Sequence, residues 1–123
     1  MYPVPSISAR NYFLAGLERS ELRYQFDPAT DRSVFYPREV APSGRLGKLE
    51  WRVSRGEGVI YSYTEVYRSK EIYNIVLVDL SEGFRVMSTI PDALPGSLFV
   101  GQAVQVAFET LGSERRIIFK VAE

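Results

Sequence analysis

Six basic side chains stand between Arg32 and Arg55, namely Arg32, Arg38, Arg45, Lys48, Arg52 and Arg55, against Glu39 and Glu50 of opposite sign. Guanidinium forks and lysine point charges both suit phosphate groups or the carboxylates of a partner. Arg38 and Arg45 are the preferred pair. They lie in a stretch broken by Pro37 and Pro42, and irregular backbone presents side chains together with free amides. The plainer reading of the same run is solvated surface.

Other chemistries find less support. Neither cysteine nor histidine occurs in the chain, which removes thiolate nucleophiles, imidazole bases, disulfides and the usual zinc ligands. Asp79, Glu65 and Glu109 are the best remaining acid or base candidates, but nothing in their spacing brings two of them into one cleft. Tyr61, Tyr63, Tyr67 and Tyr73 suggest a stacking platform for single-stranded nucleic acid. Tyr61, Tyr63 and Tyr67 share parity along a strand if no bulge intervenes, and Glu65 then sits among them, repelling phosphate. The formal net charge is zero, from 15 basic and 15 acidic residues, so nucleic acid ranks below a protein partner.

The elements that must position these residues follow from the pattern. At 123 residues with a hydrophobic fraction of 46%, the chain suits one soluble domain with a small appendage. No run approaches the roughly 20 apolar residues of a membrane span, and the start of the chain lacks the regions of a signal peptide. A cytoplasmic protein is expected. Ser6 or Ser8 can cap a helix running to about Leu22, with Tyr12, Phe13, Leu14 and Leu17 on its apolar face. Leu22–Phe26 and Ser33–Tyr36 flank a polar turn and read as a hairpin in which Tyr24 and Phe26 face Phe35 and Tyr36. Cross-strand aromatic pairs contribute only about 0.2–1 kcal/mol each, so this hairpin is expected to need the barrel or a partner to stay folded.

From Leu49 onward strands recur at regular spacing: Leu49–Val53, Val59–Tyr67, Ile72–Leu80, Phe84–Thr89, Ala103–Thr110 and Arg116–Val121. A connection rich in proline and glycine precedes Ala103. The expected fold is mainly β: an N-terminal helix over residues 1–22, a ribbon-like hairpin over 23–48, and a five-stranded OB-fold barrel over 49–123.

Three phrases carry a family resemblance. Leu22-Arg23-Tyr24-Gln25-Phe26-Asp27 followed by Phe35 to Gly44 looks like a rubredoxin-like zinc-ribbon hairpin. Gly56 to Thr64 with Val66-Tyr67-Arg68 looks like a first long barrel strand, and Val100 to Glu109 like a late one. Tyr12 to Leu17, Leu22 and Gln25 fall at matching spacing. Together these resemble a family of small proteins that join a zinc ribbon to an OB-fold and accompany thiolase-like enzymes acting on acyl-CoA. Where that family carries two Cys-x2-Cys pairs, this chain has Asp27, Thr30, Ala41 and Gly44. The ribbon is therefore degenerate, and neither zinc nor another cofactor is expected.

The resemblance implies a noncatalytic accessory subunit that stabilises a thiolase, condensing enzyme or aldolase and helps to form its acyl-CoA site. Acyl-CoA is then a ligand shared with the partner, contacted through Arg38, Arg45 and Lys48. Tyr12, Phe13, Leu17 and Tyr36 become the docking candidates, although packing of the helix onto its own barrel is the plainer account of the first three. The alternative is an OB-fold protein binding single-stranded nucleic acid.

Overall fold

The structure is a computed structural model and describes residues 8–39 and 49–122. Ala41, Gly44, Arg45 and Lys48 lie outside the described residues. Helix α1 (Ala9–Glu18) begins where Ser8, in extended conformation, accepts the Asn11 amide on its side chain. This is the N-cap arrangement that short polar residues favour. The helix stops short of the expected Leu22. Ser20 takes a left-handed φ of 58°, and the Glu21 amide turns back to the Gly16 carbonyl at 2.8 Å, a Schellman-type ending.

Two sheets follow. The smaller has three strands in the order β2-β1-β3, formed by β1 (Arg23–Asp27), β2 (Arg32–Val34) and β3 (Glu50–Val53). From sequence, Leu49–Val53 is expected to head the barrel; instead Gln25 pairs with Trp51 and Tyr24 with Arg52, so β3 closes the ribbon sheet. An alternating strand is equally compatible with either sheet, and only long-range pairing chooses.

The larger sheet runs β6-β5-β4-β7-β8, all antiparallel, from β4 (Glu57–Arg68), β5 (Glu71–Leu80), β6 (Arg85–Ser88), β7 (Ala103–Leu111) and β8 (Glu114–Val121). The Phe119 amide donates to the Thr89 carbonyl at 2.9 Å, drawing β8 toward the end of β6 and nearly closing a five-stranded OB barrel. Ile60, Val76, Val78, Val86, Val104 and Phe119 fill its interior at 0–2% exposure. Gly56 joins ribbon to barrel at φ +73°, and a Cβ there would lie 2.0 Å from Val106. The junction therefore requires glycine on both conformational and steric grounds.

The connection from Thr89 to Gln102 is pinned rather than loose. Asn74, buried, binds both the amide and the carbonyl of Ile90. The Glu65 carboxylate receives the Gly96 amide, and Gly101 and Gln102 exchange backbone bonds with Ile60.

Candidate functional site

The ribbon is tied together by side-chain hydrogen bonds to its backbone. Gln25 is 3% exposed at the centre of β1. Its Oε1 accepts the Arg38 amide and its Nε2 donates to the Arg38 carbonyl, both at 2.7 Å. One side chain thus imitates a strand partner and fastens the segment after Pro37 to β1. Glu39 then accepts the Ala9 amide at 2.6 Å, placing a carboxylate at the helix N-terminus where the dipole favours it. Asp27, one of the four positions where the resemblance expects cysteine, is buried and accepts the Ala29 amide at 3.0 Å, so its carboxylate organises the turn. Thr30 is exposed in that turn. Among the described residues no group of three His, Cys, Asp or Glu side chains could hold a metal ion.

Aromatic packing differs from the cross-strand pairs expected. The β1–β2 register ends at Gln25 and Val34, and Phe35 and Tyr36 lie beyond the strand. Phe84, from the barrel, is instead sandwiched: Tyr24 stacks on it at 4.8 Å and Phe35 at 5.0 Å between ring centroids. Phe26 carries the Arg52 guanidinium at 3.8 Å. The β5–β6 turn completes the junction, because Glu82 accepts from the Ser54 hydroxyl and the Arg55 amide while its carbonyl accepts from Ser33. Gln25 entered the sequence reading only as a spacing match, and nothing in the pattern singled out Glu82 or Phe84 as contacts. The one available signal was a glutamine between two aromatics in a strand, a polar residue at a position that turned out to be interior.

The docking candidates on α1 are engaged within the chain. Tyr12 packs on Trp51 at 4.7 Å and under Arg23 at 4.3 Å, Phe13 meets Phe35 edge-on, and Leu17 is 6% exposed. Amphipathic spacing placed Tyr12, Phe13 and Leu17 on the side that packs against the chain's own ribbon and barrel, but Leu14, expected on the same face, is 39% exposed. Tyr36 remains 62% exposed, with Arg38 exposed two residues on.

Of the basic run, Arg32, Arg38, Arg52 and Arg55 are exposed, and Arg52 forms an ion pair with Glu50 at 3.1 Å. The carboxylates considered for catalysis are each engaged elsewhere: Asp79 with Arg85, Glu109 with Arg116, and Glu65 with the Gly96 amide. The hydrogen bonds that Arg85 donates to the Asp79 carboxylate raise its pKa above the usual value.

The tyrosines do not form one platform. β4 carries a bulge between Ile60 and Ser62, which flips the alternation. Ile60 opposes Val78 and Tyr63 opposes Val76, so Tyr63, Glu65 and Tyr67 lie on the barrel-facing side. Tyr61 turns outward instead, and Arg85 sits 3.4 Å over its ring. Tyr73, opposite Val66, also lies on the outer side.

The ChsH2 C-terminal OB-fold domain family matches residues 51–109. A DUF35 domain-containing scaffold protein of Methanothermobacter thermautotrophicus is 36% identical over 90 residues, covering 67% of this chain and 68% of that protein. The chain belongs to the DUF35 family. A second DUF35 domain-containing scaffold protein, from Methanocaldococcus jannaschii, is 28% identical over 88 residues, covering 64% of this chain and 62% of its own length. Two solved structures share the fold. A chain described as Ltp2-ChsH2(DUF35) aldolase superposes at a TM-score of 0.80 with 21% identity, covering 98% of this chain and 100% of that one. A DUF35-family protein of unknown function from Sulfolobus solfataricus does so at 0.67 with 16% identity, covering 91% and 84%.

Proposed function

We propose that this DUF35 protein is a noncatalytic scaffold subunit of an acyl-CoA-processing enzyme complex in the cytoplasm. The observation that carries this reading is its kinship with a DUF35 domain-containing scaffold protein at 36% identity. Its fold also matches a chain described as part of an Ltp2-ChsH2(DUF35) aldolase, which supports a partner that is itself an enzyme. The chain's own chemistry agrees, since it has no cysteine or histidine and its candidate carboxylates hold structural contacts. The partner is a thiolase-superfamily or aldolase subunit. Arg38, with Arg45 and Lys48, reaches phosphate or acidic groups of the acyl-CoA site, and Tyr36 supplies an adjacent apolar contact.

An affinity pull-down of the tagged protein from its native cytosol at moderate salt, followed by mass spectrometry, tests the reading. A thiolase, condensing enzyme or aldolase is expected as the dominant partner, and the Arg38→Ala, Arg45→Ala double variant is expected to weaken CoA retention by the complex. Recovery of RNA or DNA without such an enzyme refutes it.

A further inference from the structure

The outer face of β4–β5–β6 breaks the alternation expected of a sheet wetted on one side. On β5 the inward residues Asn74, Val76 and Val78 are buried, but the outward Tyr73, Ile75 and Leu77 are apolar too. Met87 of β6 lies directly opposite Leu77, and the bulge turns Tyr61 onto the same side, next to Val59. Antiparallel sheets with one face on the core ordinarily carry polar residues on the other.

Val59, Tyr61, Tyr73, Ile75 and Met87 are 39–61% exposed. They leave on the order of 400 Å² of apolar surface in water, a size that on monomers is often functional. One side of a standard interface contributes about 800 Å², a little over half of it apolar, so the face carries the apolar area that one partner supplies. Charge is confined to its ends. Arg85 and Asp79 pair at 2.6 Å at one end, and Arg68 faces Glu71 across the hairpin tip at the other. Ser62 and Thr64 of β4 lie between these ends, opposite Leu77 and Ile75, and the Arg85 guanidinium covers the Tyr61 ring; an otherwise apolar centre holding Tyr and Met, with the charges at the rim, has the composition of an interface core. Because the rim charges balance within the face, a polyanion gains no field there, whereas a protein surface of matching apolar character does gain by burial.

We infer that this outer face, centred on Leu77 and Met87, is where the scaffold receives its enzyme subunit, through an apolar and charge-balanced patch of that subunit. The inference rests on the proposed scaffold function and names its contact surface. Burying a carboxylate or ammonium in such a contact is costly, while both substituted positions are solvent-exposed in the free chain.

The test uses the enzyme subunit that the wild-type protein captures, identified by mass spectrometry, purified and titrated against wild type, Met87→Glu, Ile75→Lys and, on the solvent side of α1, Leu14→Glu. Circular dichroism melts identify the folded variants, and either sheet-face variant alone suffices. The expected result is at least a tenfold rise in Kd for Met87→Glu and Ile75→Lys with Leu14→Glu unchanged. Full affinity in a folded sheet-face variant overturns the assignment while leaving the scaffold function intact. Capture of no acyl-CoA-processing enzyme by wild type removes the function and the surface together. A wild-type homodimer in sedimentation equilibrium that Met87→Glu dissociates assigns the face to a second copy and also overturns the inference.

Discussion

Gln25 illustrates how much one side chain can organise. Structural zinc in finger peptides contributes about 10–16 kcal/mol of apparent binding free energy, and two hydrogen bonds do not approach that. What Gln25 supplies is placement, because its amide satisfies both backbone groups of Arg38 at 2.7 Å and fixes where the segment carrying Tyr36 and Arg38 runs. In Gln25→Leu the side chain keeps its bulk and loses both bonds. A loss of roughly 1–3 kcal/mol in urea unfolding is expected, since the partners are partly buried. The same variant is expected to raise amide exchange at Arg38 and Glu39 before it affects the barrel. Asp27 and Gln25 were both visible in the sequence, one at a position where the resemblance expects cysteine and the other as a spacing match. Their actual partners, Ala29 and Arg38, depend on how the backbone folds back and could not be read from residue type.

Among the elements, the decisive contact is between the ribbon sheet and the β5–β6 turn. A three-stranded ribbon of this size has little core of its own, and it borrows one from Phe84, which lies between Tyr24 and Phe35. Phe84→Ala removes the shared ring and leaves a cavity, at an expected cost of about 3–5 kcal/mol. Limited proteolysis is expected to cut first in the segment from Phe35 to Glu39, with β4–β8 persisting as a resistant fragment. The cross-strand aromatic pairs expected of the hairpin do not form, and Tyr24 and Phe35 both stack on Phe84 instead. That the support is its own barrel, through one phenylalanine beyond a turn, was not legible in the sequence, because Phe84 reads as an ordinary strand residue. Helix α1 makes the same point: its apolar stripe gave the inward Tyr12, Phe13 and Leu17 but also the exposed Leu14, and the left-handed Ser20 decided where it ends.

Taken whole, the molecule has no net charge, and its tyrosines are divided between the two sides of β4 by the bulge. Binding of single strands on an OB barrel needs aromatic stacking and a positive groove together, and among the described residues neither is assembled. A fluorescent single-stranded oligonucleotide is expected to show no anisotropy change up to about 100 μM protein at moderate salt, the weak limit of non-specific binding. Saturable binding below that concentration contradicts the expectation. Charge balance of the whole chain could be counted from the sequence. The splitting of the platform rests on a single bulge, which parity counting passes over because one extra residue reverses every later side chain.

By itself, the sequence determined the strand periodicity, the barrel class, most of the inward side of the helix and the lack of cysteine and histidine. Each of these is a property of local pattern or of composition, and local sterics and hydrophobic spacing suffice to set them. Tertiary structure alone decided that β3 joins the ribbon, that Tyr61 faces away from Tyr63, that Phe84 links the two sheets, and that an apolar sheet face is left open to water. These depend on which distant segments meet, and pairing between segments far apart is selected by the packing of the whole chain rather than by any stretch of it.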